Sequence, residues 1–391
     1  MSQFLAGNQI TLLRSGAAYF PALEAAIDAA QYEIYLQTYI FEPDDTGLRI
    51  GAALQRASAR GVLVNLLLDG FGCKDFPKEY LNTLQNAGIE VLFYRPKISP
   101  WTLKRSRLRR MHRKMTVIDG RIGFVGGINI IDDCNTSIPG IPAPTSPRVD
   151  YAVQVEGPLL PSMHASMKLL WRKLCRVHLR ALRASKLNRD FSPKMSGDMR
   201  AAFLRRDNLW HRSEIEDAYL SAIQSAKTEI VIANAYFLPG LRFRHALRDA
   251  AARGVRVVLM LQGRVEYLLL DFASHALYSS FLQQGIEIYE YHKSFMHSKV
   301  AVIDDKWAIV GSSNIDPFSL LMSREANIAV KNTDFARELR ADLQKSMDSG
   351  ASLVTVDEWQ HHHYVKRFVS WLVYGLVRAL MGLTGYSDTH F

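Results

Sequence analysis

The segment AAQYEIYLQTYIF at 29–41 returns about half a chain later as SAKTEIVIANAYF at 225–237. Three further matches follow in the same order. Ala59-Arg60-Gly61-Val62 returns as Ala252-Arg253-Gly254-Val255, and GIEVLFY at 88–94 as GIEIYEY at 285–291. MHRKMTVIDGRIGFVGGIN at 111–129 returns as MHSKVAVIDDKWAIVGSSN at 296–314. Scraps common to any two α/β domains explain one such match, not four in order, so the chain is an internal duplication. Each copy alternates in the same way. A helical pattern (Pro21 to Ala30, Glu214 to Ser225) leads into an apolar strand (Ile34 to Phe41, Ile230 to Phe237). A second helix follows, and the ARGV segment opens another strand (Val62 to Leu68, Val255 to Leu261). This predicts an α/β fold of two similar halves, each a mixed central sheet flanked by helices, with a site at the interface between them.

The 391 residues are enough for two cores. A stretch rich in Lys and Arg, from Lys173 to Arg206 and including Ser192-Pro193-Lys194-Met195-Ser196-Gly197, joins the halves. The expected division is 1–195 and 196–355, with 356–391 an amphipathic C-terminal segment. The three cysteines, Cys73, Cys134 and Cys175, have neither disulfide nor zinc spacing and suit a reducing compartment. No export signal and no uninterrupted apolar run of spanning length is expected.

Both copies end in His-x-Lys-x4-Asp-x6-Gly-[Gly/Ser]-x-Asn: His112, Lys114, Asp119, Gly126, Gly127 and Asn129, then His297, Lys299, Asp304, Gly311, Ser312 and Asn314. A strand places residues i and i+2 on one face, so imidazole and ammonium point together. Two such copies facing each other offer two histidines, two lysines and two asparagines to one phosphodiester. One imidazole attacks phosphorus; the other protonates the leaving alkoxide and then deprotonates the incoming alcohol. Lys and Asn stabilise the non-bridging oxygens, and no metal or other cofactor is required. A nucleophilic histidine needs an acceptor on its remote ring nitrogen. Asp150 and Glu325, downstream of His112 and His297 and each leading into a strand, are the candidates. Asp119 and Asp304 belong to the motif's catalytic set, but their odd parity relative to the histidines predicts that they brace the strand end.

The duplicated histidine, lysine and aspartate motif resembles the signature of the phospholipase D superfamily, and the resemblance extends over about 9–345. ANAYFLPG at 233–240 and GSSNIDPFSL at 311–320 are more narrowly similar to bacterial cardiolipin synthases of the B type. The resemblance implies transfer of a phosphatidyl group from one phosphatidylglycerol to another, with release of glycerol, through a covalent phosphatidyl-histidine. It assigns attack to His112 and acid/base work to His297, an assignment that the near symmetry of the motifs leaves open. Where many relatives carry Arg before Ser after the second Asn, this chain has Phe318 before Ser319, so a phosphate contact at 318 is not carried over.

The net charge of +10 calls for an anionic partner. Arg95, Lys97, Lys104, Arg105, Arg107, Arg109, Arg110, Arg113 and Lys114 form an acid-free run around Trp101 and Leu103, suited to a nucleic-acid backbone or an anionic lipid surface. The C-terminus favours lipid. In YVKRFVSWLVYGLVRALMGLTGY, Arg367, Ser370, Tyr374 and Arg378 fall on one narrow helical face and nearly all else is apolar, which suits a helix lying in the membrane interface. The alternative is a helix covering an apolar face of the second half. Arg172 to Arg183 is a further candidate for the membrane-facing surface. No nucleic-acid partner is expected, and the oligomeric state is not legible. Together with the resemblance, these features imply a peripheral protein on the cytoplasmic face of a bacterial inner membrane. His361-His362-His363 near Asp357 and Glu358 lacks the geometry of a metal tract, because consecutive helical residues diverge. The aromatic strand ends Tyr39, Phe41, Tyr236 and Phe237 are expected in the core. The rival functions are a hydrolytic phospholipase D, a headgroup-exchange transferase, a phosphodiesterase nuclease, and a non-catalytic lipid-binding scaffold.

Overall fold

The computed structural model of the chain describes residues 3–96, 109–135, 146–183, 194–207, 210–264, 268–321, 323–361 and 364–383. The first half runs β1 (Leu5–Arg14), α1 (Ser15–Asp28), β2 (Glu33–Thr38), α2 (Asp45–Ala59), β3 (Leu63–Asp69), α3 (Lys78–Asn86), β4 (Glu90–Tyr94), β5 (Lys114–Ile118), β6 (Ile122–Gly126), β7 (Tyr151–Glu156) and α4 (Leu160–Val177). The second begins β8 (Met199–Arg206), α5 (Glu214–Ser225), β9 (Glu229–Asn234), α6 (Leu241–Ala252), β10 (Arg256–Gln262), α7 (Leu268–His275), α8 (Tyr278–Gln283) and β11 (Glu287–Tyr291). It continues β12 (Lys299–Ile303), β13 (Trp307–Gly311), α9 (Pro317–Leu321), β14 (Glu325–Lys331), α10 (Thr333–Gly350), β15 (Ala351–Leu353), α11 (Val356–His361) and α12 (Tyr364–Leu383).

The strands join in one sheet that reads the same outward from its middle, β8, β14, β13, β12, β9, β10, β11 on one side and β1, β7, β6, β5, β2, β3, β4 on the other, with β15 added antiparallel outside β11. In each half the three outer strands of that series are parallel, as βαβ crossovers require. The strands nearer the middle are antiparallel. All six residues of β2 are buried, the pattern of a strand covered on both faces. The halves meet where β1 pairs with β8, through Leu5↔Ala201 and Asn8↔Met199. One apolar cluster packs α1 and α2 on the first half, a second packs α5, α6 and α8 on the other, and a third runs through both halves beneath α4 and α10.

Two sequence expectations shift. The basic stretch from Lys173 to Arg206 is not simply a linker: it starts inside α4 and ends as β8, whose Ala201, Ala202, Leu204 and Arg206 are buried between β1 and β14. The sequence MRAAFLRR is apolar enough at its centre to fill that place despite its charged ends. The first helix starts at Ser15, with Pro21 in its interior, so the proline is not the start signal it resembles.

The motif aspartates close the bottom of each half identically. Asp119, in the left-handed region at φ 52°, accepts from the N–H groups of Gln31, Tyr32 and Glu33 at 2.8, 2.9 and 2.8 Å. Asp304, at φ 53°, accepts from those of Lys227, Thr228 and Glu229 at 2.8, 2.8 and 3.0 Å. Each carboxylate fixes the entry to β2 or β9, the strand beside its own. Replacing Asp119 by Ala strands three amide donors, and thermal or denaturant unfolding is expected to show a loss of about 2–4 kcal/mol. Asp304→Ala, at a less buried site, is expected to lose less.

Candidate active site

Each histidine of the repeat is delivered by the backbone of the opposite half. Met111 bridges Arg324 in parallel: Arg324 N–H donates to Arg110 O at 2.8 Å and His112 N–H donates to Arg324 O at 3.0 Å. Met296 bridges Val149 in the same way, with Val149 N–H donating to Phe295 O and His297 N–H to Val149 O, both at 2.8 Å. The residue after each bridge partner is a carboxylate, Glu325 or Asp150.

The side chains follow the bridges. His112 Nδ1 lies 2.9 Å from Glu325 Oε1, and His297 Nδ1 lies 2.7 Å from Asp150 Oδ2. Sequence order set each carboxylate beside the histidine of its own copy; the structure exchanges them. Spacing along one chain carries no sign of a bridge between copies, which is why the exchange was not legible. An Nδ1–H donated to a carboxylate leaves Nε2 as the free lone pair. The imidazoles keep 14% and 16% of their surface exposed while Glu325 and Asp150 keep 0% and 2%, so the rings are reachable and their partners are not.

The two sites differ in what lies behind the carboxylate. Ser312 Oγ donates to Glu325 Oε2 at 2.5 Å. The matching residue in the first copy is Gly127, where a methyl group would run into the shorter Asp150. Asp150 instead takes Tyr151 N–H on Oδ1 at 2.8 Å.

The lysines turn back onto their own histidines. Lys114 Nζ donates to His112 O at 2.8 Å, and Lys299 Nζ donates to His297 O while standing 3.9 Å from Asp150. Burial pushes the Lys114 ammonium down to about 7, with Glu325 pulling it up and Lys299 pushing it further down. Burial raises Asp150 to about 6 against the pull of Lys299. Burial also holds both imidazoles below their usual range. At His112 Glu325 opposes it and Lys114 adds to it, whereas His297 lies well below, with Lys299, Arg148, Lys114 and His112 all adding to burial. Asn129 spends its carbonyl oxygen on Ile40 N–H at 3.1 Å, which leaves its NH2 group as a donor, and Asn314 is buried with an Oδ1 that takes no hydrogen bond among the described residues.

Asp119 and Asp304 do not join this chamber. Each follows the far end of a five-residue strand that begins at its motif lysine, roughly 16 Å away along the strand. Tyr39 was expected in the core. Its ring instead meets His112 edge-on, centroids 4.8 Å apart, and lies under Lys114 Nζ at 5.1 Å. Its counterpart in the second copy is Ala235, and that asymmetry within TYIF and NAYF was the available signal. Phe41 and Phe237 are core. Arg113, counted with the surface charges, is buried, bonding Gln37 Oε1 at 2.7 Å and Ser166 Oγ at 2.9 Å. Lys97, Trp101, Leu103, Lys104, Arg105 and Arg107 lie outside the described residues, as do His362, His363 and the side chains of Phe318, His361 and Arg367.

The family described as cardiolipin synthase, PLD-like domain matches twice, at residues 23–136 and 219–347. Cardiolipin synthase B of Escherichia coli is 36% identical over 395 residues, covering 98% of this chain and 91% of that protein. Cardiolipin synthase B of Salmonella typhimurium is 37% identical over 386 residues with the same coverage, 98% and 91%. Among solved structures, the phosphatidylserine synthase of Haemophilus influenzae shares the fold, with a TM-score of 0.70 at 14% identity over 98% of this chain and 96% of that one. Fold and paired motifs define a phosphatidyltransferase of the phospholipase D superfamily. Within that class, the chain belongs to the cardiolipin synthase family.

The exchanged pairs make a prediction independent of activity. In nitrogen NMR of labelled histidines, Glu325→Gln is expected to change the Nδ1 signal of His112 and leave that of His297, and Asp150→Asn the reverse. A change confined to the histidine of the same copy would contradict the exchange.

Proposed function

We propose that the chain makes cardiolipin from two molecules of phosphatidylglycerol through a covalent phosphatidyl-histidine. The observation that carries this is the pair of largely buried but still accessible imidazoles, each backed by a buried carboxylate from the other half, with a lysine bonded to the backbone of each histidine. A bound phosphodiester adds negative charge between Lys114 and Lys299, which favours protonation of one imidazole while the other stays neutral. The neutral ring attacks phosphorus through Nε2, the bond to the glycerol oxygen breaks, and the protonated ring gives its Nε2 proton to the leaving glycerol. That second ring, now neutral, takes a proton from a hydroxyl of the incoming phosphatidylglycerol. The resulting oxygen displaces the histidine from phosphorus and releases cardiolipin. His112 is the proposed nucleophile and His297 the acid and base, with Lys114, Lys299, Asn129 and Asn314 on the phosphoryl oxygens, Asp150 and Glu325 orienting the rings, and no metal involved. The same proposal divides the chain at 195/196 and 355/356.

The partner surface is an anionic membrane. In α12, Phe368, Trp371, Leu372 and Leu376 share an outward face, Trp371 being 70% exposed, while Ser370 is buried and Val373 and Tyr374 pack on the second half. The exposed apolar face suits the expected interfacial helix, while Ser370, Val373 and Tyr374 pack on the second half and Arg378 stays exposed. A helix so arranged both docks on the protein and offers its apolar stripe to lipid. Among the described residues no helix is long and apolar enough to cross a membrane. Leu169, Val177, Leu179 and Leu182, exposed among Arg172, Lys173 and Arg176, add a second stripe of the same chemistry.

His112→Ala and His297→Ala are each expected to lower cardiolipin formation from defined phosphatidylglycerol by at least about a thousandfold. Retained activity in both would refute the mechanism, and phosphatidic acid as the sole product would favour a hydrolase. Trp371→Ser with Leu372→Ser is expected to weaken binding to phosphatidylglycerol vesicles about tenfold or more while turnover on detergent-dispersed lipid changes by less than about twofold. Equal losses in both assays would contradict the membrane role of α12.

A further inference from the structure

The peptide that presents His112 is tied down by a residue outside the repeated motif. Asp69, the last residue of β3, is buried, and its Oδ2 accepts from Met111 N–H at 2.7 Å. Its Oδ1 accepts from Phe71 N–H at 2.8 Å and Gly72 N–H at 3.1 Å. One carboxylate therefore joins two structures. It holds the residue before His112, the same Met111 that bridges Arg324 and so sets Glu325 opposite the ring. It also holds the turn after β3, whose Gly72 lies against Tyr39 O and whose Cys73 Sγ donates to the same oxygen at 3.4 Å. Tyr39 is the residue whose ring stands against both His112 and Lys114. The wall and the histidine are thus fixed from a single point.

The second copy is built differently. Gln262 stands at the end of β10 where Asp69 ends β3, and its side-chain oxygen takes Arg264 N–H at 3.4 Å. Ala235 stands where Tyr39 does. We infer that Asp69 is a positioning residue for His112, one that holds the first-copy imidazole and its Tyr39 wall rigid, while among the described residues no equivalent clamp holds the second-copy imidazole. It touches no reacting atom and acts through Met111 and the turn. A carboxylate accepting three amide donors makes charge-assisted bonds, and burial leaves no water to replace them. Small displacements of a reacting group lower turnover steeply, so loosening this clamp falls on turnover more than on substrate binding.

The inference rests on the proposed chemistry, and the test separates the two. Asp69→Asn keeps the shape but places an NH2 group against one of the amide donors; Asp69→Glu keeps the charge but lengthens the arm. With cardiolipin and phosphatidic acid both measured, each variant is expected to lower kcat by about 10- to 100-fold, corrected for folded fraction, with KM for phosphatidylglycerol within about twofold of wild type. In Asp69→Asn, loss of a negative charge near Lys114 is also expected to move the acidic limb of the pH profile to lower pH; Asp69→Glu is expected to leave that limb in place. Gln262→Ala is expected to change kcat by less than about threefold. Unchanged kcat in the folded Asp69 variants, a loss that appears only as lost folded protein, or an equal loss in Gln262→Ala would overturn the inference. A wild-type enzyme that turns over phosphatidylglycerol without making cardiolipin would overturn the proposed function and leave the Asp69 comparison readable in phosphatidic acid.

Discussion

The site depends on a reciprocal exchange of carboxylates. Glu325 of the second copy completes His112 of the first, and Asp150 of the first completes His297 of the second. Each imidazole thus takes its Nδ1 partner from the other half, so the paired arrangement exists only where both halves meet. The rest of the fold serves that meeting. The β1–β8 seam brings the copies edge to edge, and the two parallel bridges, Met111↔Arg324 and Val149↔Met296, bring each histidine to the residue before the other's carboxylate. Registers at both bridges are fixed by backbone hydrogen bonds on either side, so the exchange does not depend on long side chains finding each other.

Charge explains why such a chamber can be buried at all. Lys114, Lys299, Asp150 and Glu325 are four ionisable groups almost without solvent contact, two of each sign. A buried charge is tolerated when hydrogen bonds satisfy it, and each of these is hydrogen-bonded. Burial raises Asp150 to about 6 against the pull of Lys299 and lowers Lys114 to about 7 against the pull of Glu325. In the proposed mechanism, a phosphodiester bound here would add one negative charge to this balanced set, which favours a proton on one imidazole.

Much of this was legible from the duplicated segments. Two α/β halves, paired histidine and lysine motifs, and the bracing parity of Asp119 and Asp304 all follow from periodicity within one copy. The carboxylates were recognisable as candidates because each opens a strand. Their exchange was not, because a contact between copies leaves no spacing in the chain. Tyr39 was misplaced because an aromatic at a strand end reads as core unless the neighbouring loop is known to expose it. Asp69 was overlooked because a lone aspartate closing an apolar strand has many ordinary uses, and its three amide partners come from two segments. The amphipathic pattern of the C-terminal helix was legible, but which of its residues dock on the second half was not: Ser370, Val373 and Tyr374 pack inward and the wide apolar face is left outside.

Protein denatured at alkaline pH during turnover of phosphatidylglycerol and kept alkaline through peptide mass spectrometry bears most directly on two imidazoles sharing one phosphorus atom. Phosphatidyl modification of a single histidine, His112 or His297, at no more than one group per chain is the expected result. Two modified histidines in one chain, or steady turnover with neither modified in wild type and in every slowed variant, would contradict it.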